Sequence, residues 1–221
     1  SCALSPTGDV VLSEQPILIG VSFPLSGGLS IYGDSLLKGL EMGVLDVNTN
    51  GGVGGRPIEL VVEDNHGDPR TSATAAHKLI SDGVPIMLTT LVGPVGAIAP
   101  ITESANVTLL YAAAVDSFAW ENQHVWKDSV DAYYDCTLLA AHAASLGKTR
   151  VAILGAEAET TEKCKEAILE NPSVELVLLE KYVKGETDFR TQLSKIAAHD
   201  VDVVFLPAFT DDCIIIWKQI S

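Results

Sequence analysis

Residues 48–69 read NTNGGVGGRPIELVVEDNHGDP. Gly51, Gly52, Gly54 and Gly55 precede the apolar run Ile58-Glu59-Leu60-Val61-Val62, which ends in acids. A phosphate-binding loop has the opposite order: it follows its strand and opens a helix, so that backbone N–H groups and the helix N-terminus face the anion. Here the glycines come after a helical pattern, Pro57 blocks any continuation, and no Gly-Lys-Ser/Thr follows. The stretch predicts a helix end built on positive-φ glycines that feeds a buried strand.

The same rhythm extends in both directions. Short, nearly continuous apolar runs alternate with longer amphipathic stretches, the pattern of strands buried on both faces with crossover helices between them. Strands are expected at 17–23, 58–63, 86–90, 107–111, 151–154, 174–179 and 203–206. Helices are expected at about 32–47, 69–82, 95–105, 132–146, 161–169 and 188–199, with a last one from 210. In the first helix Leu36, Leu37, Leu40, Val44 and Val47 fall on one broad stripe. Alternating β and α elements mean an α/β fold with parallel sheets and right-handed crossovers. Residues 112–131, with Trp120 and Trp126, fit neither period, which places a lobe boundary at 118–124. The expected division is a tether over 1–16, a first α/β lobe over 17–118 and a second over 119–221.

Composition narrows the function. A chain of 221 residues with 47% hydrophobic content can fill a sizeable core. A formal charge of −15 repels phosphate backbones, so nucleic acid is not an expected partner. The uncharged stretch 84–102 has the length of a membrane span, but Pro85, Pro94 and Pro100 break it. Cys136, Cys164 and Cys213 lack CxxC spacing and read as small apolar fillers on helices, with their disulfide status open. Cys2 stands in a polar N-terminal segment like that of lipoproteins, which makes it a candidate lipid-anchor residue. Asp64-Asn65-His66-Gly67-Asp68 looks like a metal loop, yet it lacks the glycine and glutamate of a calcium loop and reads as a strand-end turn with helix capping. His77, His124, His142 and His199 are scattered, and none forms a nucleophile arrangement. No catalytic residue, metal site or cofactor is expected.

In an open parallel sheet, ligands sit beyond the carboxyl ends of the strands. The charge-poor tips Leu91-Val92-Gly93-Pro94 and Ala112-Ala113-Ala114-Val115 offer backbone groups and apolar walls suited to a small molecule.

Three stretches carry a family resemblance. They are IGVSFPLSGGLSIYGDSLLKGLEMGVLDVNTNGGVGGRPIELVVEDNHGDP, then AAHKLISDGV, and later KGETDFRTQLSKIAAHDVDVVFLPAF. In this order they resemble type I periplasmic solute-binding proteins of the branched-chain amino-acid-binding group, from about Ile17 onward. The resemblance implies two Rossmann-like lobes with parallel sheets flanked by helices, the second incomplete because family members run longer. It also implies capture of a small organic ligand, an amino acid or related molecule, outside the cytoplasm and its delivery to a membrane ABC transporter permease. A ligand-sensing receptor ectodomain is the alternative. A nucleotide-binding enzyme is less consistent, because SGGLSIYG lacks the Gly-x-Gly-x-x-Gly spacing.

Carried over residue by residue, the resemblance assigns ligand contacts to Tyr32, Leu91, Val92, Gly93, Ala113, Ala114, Val115, Thr160 and Phe209. The hydroxyls that the family places near 91–93 and 114–115 are replaced by apolar side chains, which favours a less polar or differently charged ligand than a standard branched-chain amino acid. Asp116 could meet a ligand cation. Ile214, Ile215, Ile216 and Trp217 are expected to form an apolar patch, which leaves self-association through the unfinished second lobe open.

Overall fold

The computed structural model describes residues 3–4, 10–11, 15–115 and 117–220. The chain divides into two compact units, Ser1–Ser129 and Val130–Ser221. Unit 1 holds β1 (Ala3–Leu4), β2 (Val10–Val11), β3 (Ile17–Phe23), α1 (Ser30–Thr49), β4 (Ile58–Asp64), α2 (Pro69–Ser81), β5 (Ile86–Thr90), α3 (Val92–Ala105), β6 (Thr108–Ala112), α4 (Ser117–Glu121) and β7 (Val125–Lys127). Unit 2 holds α5 (Ala132–Ser145), β8 (Arg150–Ala156), α6 (Glu159–Glu170), β9 (Glu175–Tyr182), α7 (Arg190–Ala197), β10 (Val203–Phe205) and α8 (Thr210–Gln219). β1 pairs antiparallel with β2. The other residues of the expected tether, Cys2 among them, and Asp116 lie outside the described residues.

The glycine-rich stretch ends α1 as its order predicts. All four glycines have positive φ, between 61° and 100°. The Gly52 N–H donates to the Val47 carbonyl and the Gly51 N–H to that of Asn48, closing the helix. Asn48 then clamps the next strand: its amide donates to the Ile58 carbonyl at 2.9 Å while its oxygen accepts from the Ile58 N–H at 2.7 Å. At the start of α2 the Asp68 carboxylate accepts from the N–H groups of Arg70 and Thr71, a side-chain cap with Pro69 in the first turn.

Unit 1 is a five-stranded parallel sheet in the order β4-β3-β5-β6-β7. The chain moves from β3 outward to β4, then crosses back to β5 and continues the other way. Right-handed crossovers therefore put α1 on one face and α2 with α3 on the other. The second face is closed by Leu79, Met87, Val95, Ile98, Leu109 and Val125. On the α1 face, Val62, Val21, Leu88, Leu110 and Trp126 stand in register across the sheet. Val21 is buried, Leu88 and Leu110 are half-buried, and Trp126 is 59% exposed. Of the stripe expected on α1, Leu37, Leu40, Val44 and Val47 are half-buried while Leu36 is exposed; Ile31, Met42 and Leu45 face solvent as well.

Three differences from the sequence reading have physical causes. β7 pairs with β6, so unit 1 runs to Ser129 and the boundary expected at 118–124 falls inside it, around α4. Cys136 and Cys164 are no mere fillers: α5 and α6 bring their Cα atoms to 5.2 Å and they form a disulfide, leaving Cys213 free among the described residues. The apolar stretch of α8 is split by the helical period. Ile216 is fully buried and Ile215 packs beside it, whereas Ile214 and Trp217 are exposed.

Unit 2 has a three-stranded parallel sheet in the order β10-β8-β9. Here too the crossovers run in opposite directions, so α6 and α7 lie on opposite faces. One face packs Cys136, Ala140, Val151, Ile153, Cys164, Ile168 and Phe205; the other packs Ala152, Leu154, Tyr182, Phe189, Ile196 and Ile216.

Candidate functional site

In unit 1 the strand order reverses at β3, between β4 and β5, and the loops beyond the carboxyl ends of β3 and β5 flank that switch point. Loop β3–α1 is tight: a Cβ on Gly33 would sit 2.1 Å from the Pro24 carbonyl oxygen, so only glycine allows α1 to start so close to the strand end. Tyr32, half-buried, precedes it in the first turn of α1.

Leu91 joins β5 to α3 with φ 70° and ψ 143°, a conformation that non-glycine residues rarely adopt. It lets α3 begin at Val92, three residues earlier than expected, with Gly93 in the first turn and no acidic side chain there. The N–H groups of this turn form an end that favours negative charge. Thr90 Oγ1 donates to the Ala112 carbonyl at 2.7 Å, tying the tips of β5 and β6 together. Ala113 is buried and its carbonyl accepts from Ser129 Oγ at 2.7 Å; Ala114 is half-buried. Val115 is fully buried and its carbonyl accepts from the Tyr111 hydroxyl at 3.1 Å. Unit 1 thus gathers Tyr32, Leu91, Val92, Gly93, Ala113, Ala114 and Val115 along the carboxyl edge of one sheet.

Thr160 and Phe209 lie on unit 2, at the carboxyl ends of β8 and β10. Thr160 is half-buried in the first turn of α6, while its neighbour Thr161 is buried and donates to the Ala156 carbonyl at 2.7 Å. Phe209 precedes α8 and carries the Lys184 ammonium 4.3 Å from its ring centroid. Beneath them the buried Tyr182 hydroxyl donates to the Asp212 carboxylate at 2.8 Å. Burial, with that carboxylate beside it, pushes the Tyr182 phenol far above its ordinary range, so it stays a neutral donor.

Two groups at these edges escaped the reading of the sequence. One is Lys184 over Phe209. The other joins loops forty residues apart: Ser26 Oγ lies 2.5 Å from His66 Nδ1, and Asp64 Oδ2 lies 3.2 Å from the same nitrogen. Burial acts to raise the Asp64 carboxyl, but donors from Ser26, His66 and Leu25 outweigh it and hold the group below the usual aspartate value. The available signal was that PLSGG and the acids after Val62 both close strands on the same sheet edge. Among the described residues there is no group of three His, Cys, Asp or Glu side chains able to hold a metal ion. No helix there is long and apolar enough to cross a membrane.

Comparison with known proteins agrees with this architecture. The family model described as periplasmic binding protein matches residues 16–221. Leu/Ile/Val-binding protein homolog 2 of Brucella abortus is 25% identical over 237 aligned positions, covering 100% of this chain and 61% of the relative. Leu/Ile/Val-binding protein BraC3 of Rhizobium johnstonii is 27% identical, covering 90% of this chain and 56% of the relative. Among solved structures, the branched-chain amino acid transporter substrate-binding protein LivJ of Streptococcus pneumoniae, in complex with isoleucine, superposes with a TM-score of 0.86 at 24% identity, over 93% of this chain and 61% of that one. An ABC transporter substrate-binding protein from Sphaerobacter thermophilus gives 0.82 at 27% identity, over 93% and 58%. The chain thus spans about three fifths of the length of the curated relatives it matches. With the two α/β units and the family match over nearly the whole chain, the chain belongs to the type I periplasmic binding protein family.

Proposed function

We propose that this chain is the ligand-capturing portion of an extracytoplasmic solute-binding protein that holds a small organic ligand, an amino acid or related molecule, for an ABC-type importer. The observation that carries the reading is the carboxyl edge of the unit 1 sheet. There an uncapped helix start at Leu91–Gly93 adjoins the apolar tip Ala113–Val115, a backbone-rich and charge-poor lining suited to binding without chemical transformation. Tyr32, Leu91, Val92, Gly93, Ala113, Ala114 and Val115 supply contacts from unit 1, Thr160 and Phe209 from unit 2. The relatives named Leu/Ile/Val-binding proteins support an amino acid or a related carboxylate as the ligand class. The apolar side chains at 91, 92 and 115 favour a ligand less dependent on side-chain hydroxyls. Cys2 is the proposed point of lipid attachment.

The test is thermal unfolding of the intact protein against the proteinogenic amino acids and a set of aromatic and aliphatic carboxylates. A ligand that binds only the folded state stabilises it by about 2.7 kcal/mol at a hundred times Kd. At least one compound should raise the melting temperature in a concentration-dependent way. A flat response across the panel would overturn the reading.

A further inference from the structure

The first helix of unit 2, α5, is apolar on both sides. Ala132, Cys136, Ala140 and Ala143 point into the unit and are buried. On the opposite side Tyr134, Leu138 and Leu139, with Leu146 at the C-cap, are each more than half exposed. A helix at the surface of a folded unit ordinarily turns a polar face outward, and one that is apolar all round is ordinarily covered on every side. Among the described residues no element covers this outward side.

The face is held in place from within. The disulfide between Cys136 and Cys164 ties α5 to α6, and the Tyr133 hydroxyl donates to the Glu170 carboxylate at 2.5 Å. A partner would therefore meet a preorganised surface, with little left to order on binding.

The charges on α5 define what fits there. Its only carboxylate is Asp135 in the first turn, and its only basic side chain is His142 in the last. Both are exposed, and neither side chain has a hydrogen-bond or ion-pair partner among the described residues. They are two helical turns apart, so they lie on one line along the outward face, with Leu138 and Leu139 at its midpoint. This pattern is complementary to its own reverse. An antiparallel pair of α5 helices centred between Leu138 and Leu139 sets Asp135 of each copy opposite His142 of the other, and Leu138 opposite Leu139. Such self-complementarity is what a two-fold interface requires. Parallel alignment would instead oppose Asp135 to Asp135 and set like ends of the helix dipoles together. The chain carries a formal charge of −15, so two copies repel in general, and this seam supplies the local exception by bringing a carboxylate to an imidazole.

We propose that the outward face of α5 is a homodimer interface, in which two copies of this chain pack α5 against α5 antiparallel, with Asp135 of each bonded to His142 of the other. The inference goes beyond the solute-binding reading and does not rest on it. One helix per copy makes a small interface, so the dissociation constant is expected on the order of 10 µM.

The experiment is sedimentation velocity of the intact protein, from about tenfold below to about twentyfold above that constant. Wild type should show a reversible monomer–dimer equilibrium. Leu138→Glu alters an exposed position, so the monomer should keep its melting temperature, while the dimer weakens by about a hundredfold through an unpaired charge in the seam. Asp135→Lys and His142→Asp should each dimerise poorly alone. Mixed in equal amounts they should associate with near wild-type affinity, because the introduced lysine meets the introduced carboxylate on one side of the axis and the native pair forms on the other. A wild type that stays monomeric throughout overturns the inference. If Leu138→Glu then lowers the melting temperature, the face is covered from within the same protein; if it does not, the face is free for a different partner. A dimer that Leu138→Glu leaves intact overturns the inference too, since the association then lies on another surface. So does a mixture of the two charge variants that stays monomeric, since the helices then do not meet in antiparallel register.

Discussion

In unit 2 the central strand β8 is buried from Val151 to Ala156, with α5 and α6 on one side and α7 and α8 on the other. In unit 1 the row Val62, Leu88, Leu110 and Trp126 runs across a larger sheet yet stays partly open, because among the described residues α1 alone lies on that face. The strands of both units are apolar runs of the same kind, so their sequences ask for cover on both faces equally. What differs is how many helices each sheet has to meet that request. The smaller sheet is closed and carries a disulfide between the helices of one layer. The larger one is closed on one face only.

The largest expected effect tests the staple of the closed unit. Cys136 and Cys164 are 28 residues apart, and a loop of that size bridged by a disulfide is worth about 3–4 kcal/mol. Replacing both cysteines by alanine should lower the unfolding free energy measured in urea by that amount, and the midpoint with it. Hydrogen exchange should quicken in 150–156 and 175–182, while protection in 17–23 and 86–90 is kept. An unchanged midpoint would mean that unit 2 owes its closure to packing alone.

Much of this architecture could be read directly. Ile17–Phe23 and Ile86–Thr90 are found within the expected bounds, because a strand buried between neighbours shows as an unbroken apolar run. The glycine stretch declared a helix end, since four glycines in positive φ leave few other structures. Elements that depend on partners far along the chain were less legible. β7 has three residues and no period; it exists because Leu109, Leu110 and Tyr111 offer it a sheet edge. The disulfide needs two helices packed side by side, a fact that the spacing of the cysteines does not carry. At the site, the chain segments could be chosen from topology, but not their conformations. Leu91 and His66 both hold positive φ without being glycine, and His66 gains its partners from a loop forty residues earlier. Such strain is stored where surrounding structure over-determines it, so local propensity gives no notice of it.

A more direct comparison of the two sheets removes matched side chains. Ile153 in β8 is fully buried, whereas Leu110 in β6 is half-buried on the open face of unit 1. Ile153→Ala should cost about 2–5 kcal/mol, as cavity formation in a packed core does. Leu110→Ala should cost about half as much, because solvent already reaches one side of it and less transfer energy is lost. Both values come from chemical unfolding of the intact protein. Equal losses would show that Leu110 is covered as fully as Ile153 and would erase the contrast between the units.

The smallest effect is expected at the rim of the open row. Trp126 pairs with Leu110 across the edge of the sheet, and most of its ring meets solvent. Threonine, being β-branched, keeps a high preference for a strand while removing exposed apolar area. Trp126→Thr should therefore change stability by no more than about 0.5 kcal/mol, as ordinary surface substitutions do. A loss above about 1.5 kcal/mol would mean that the indole is packed in the intact protein, and the α1 face would then have to be counted as closed.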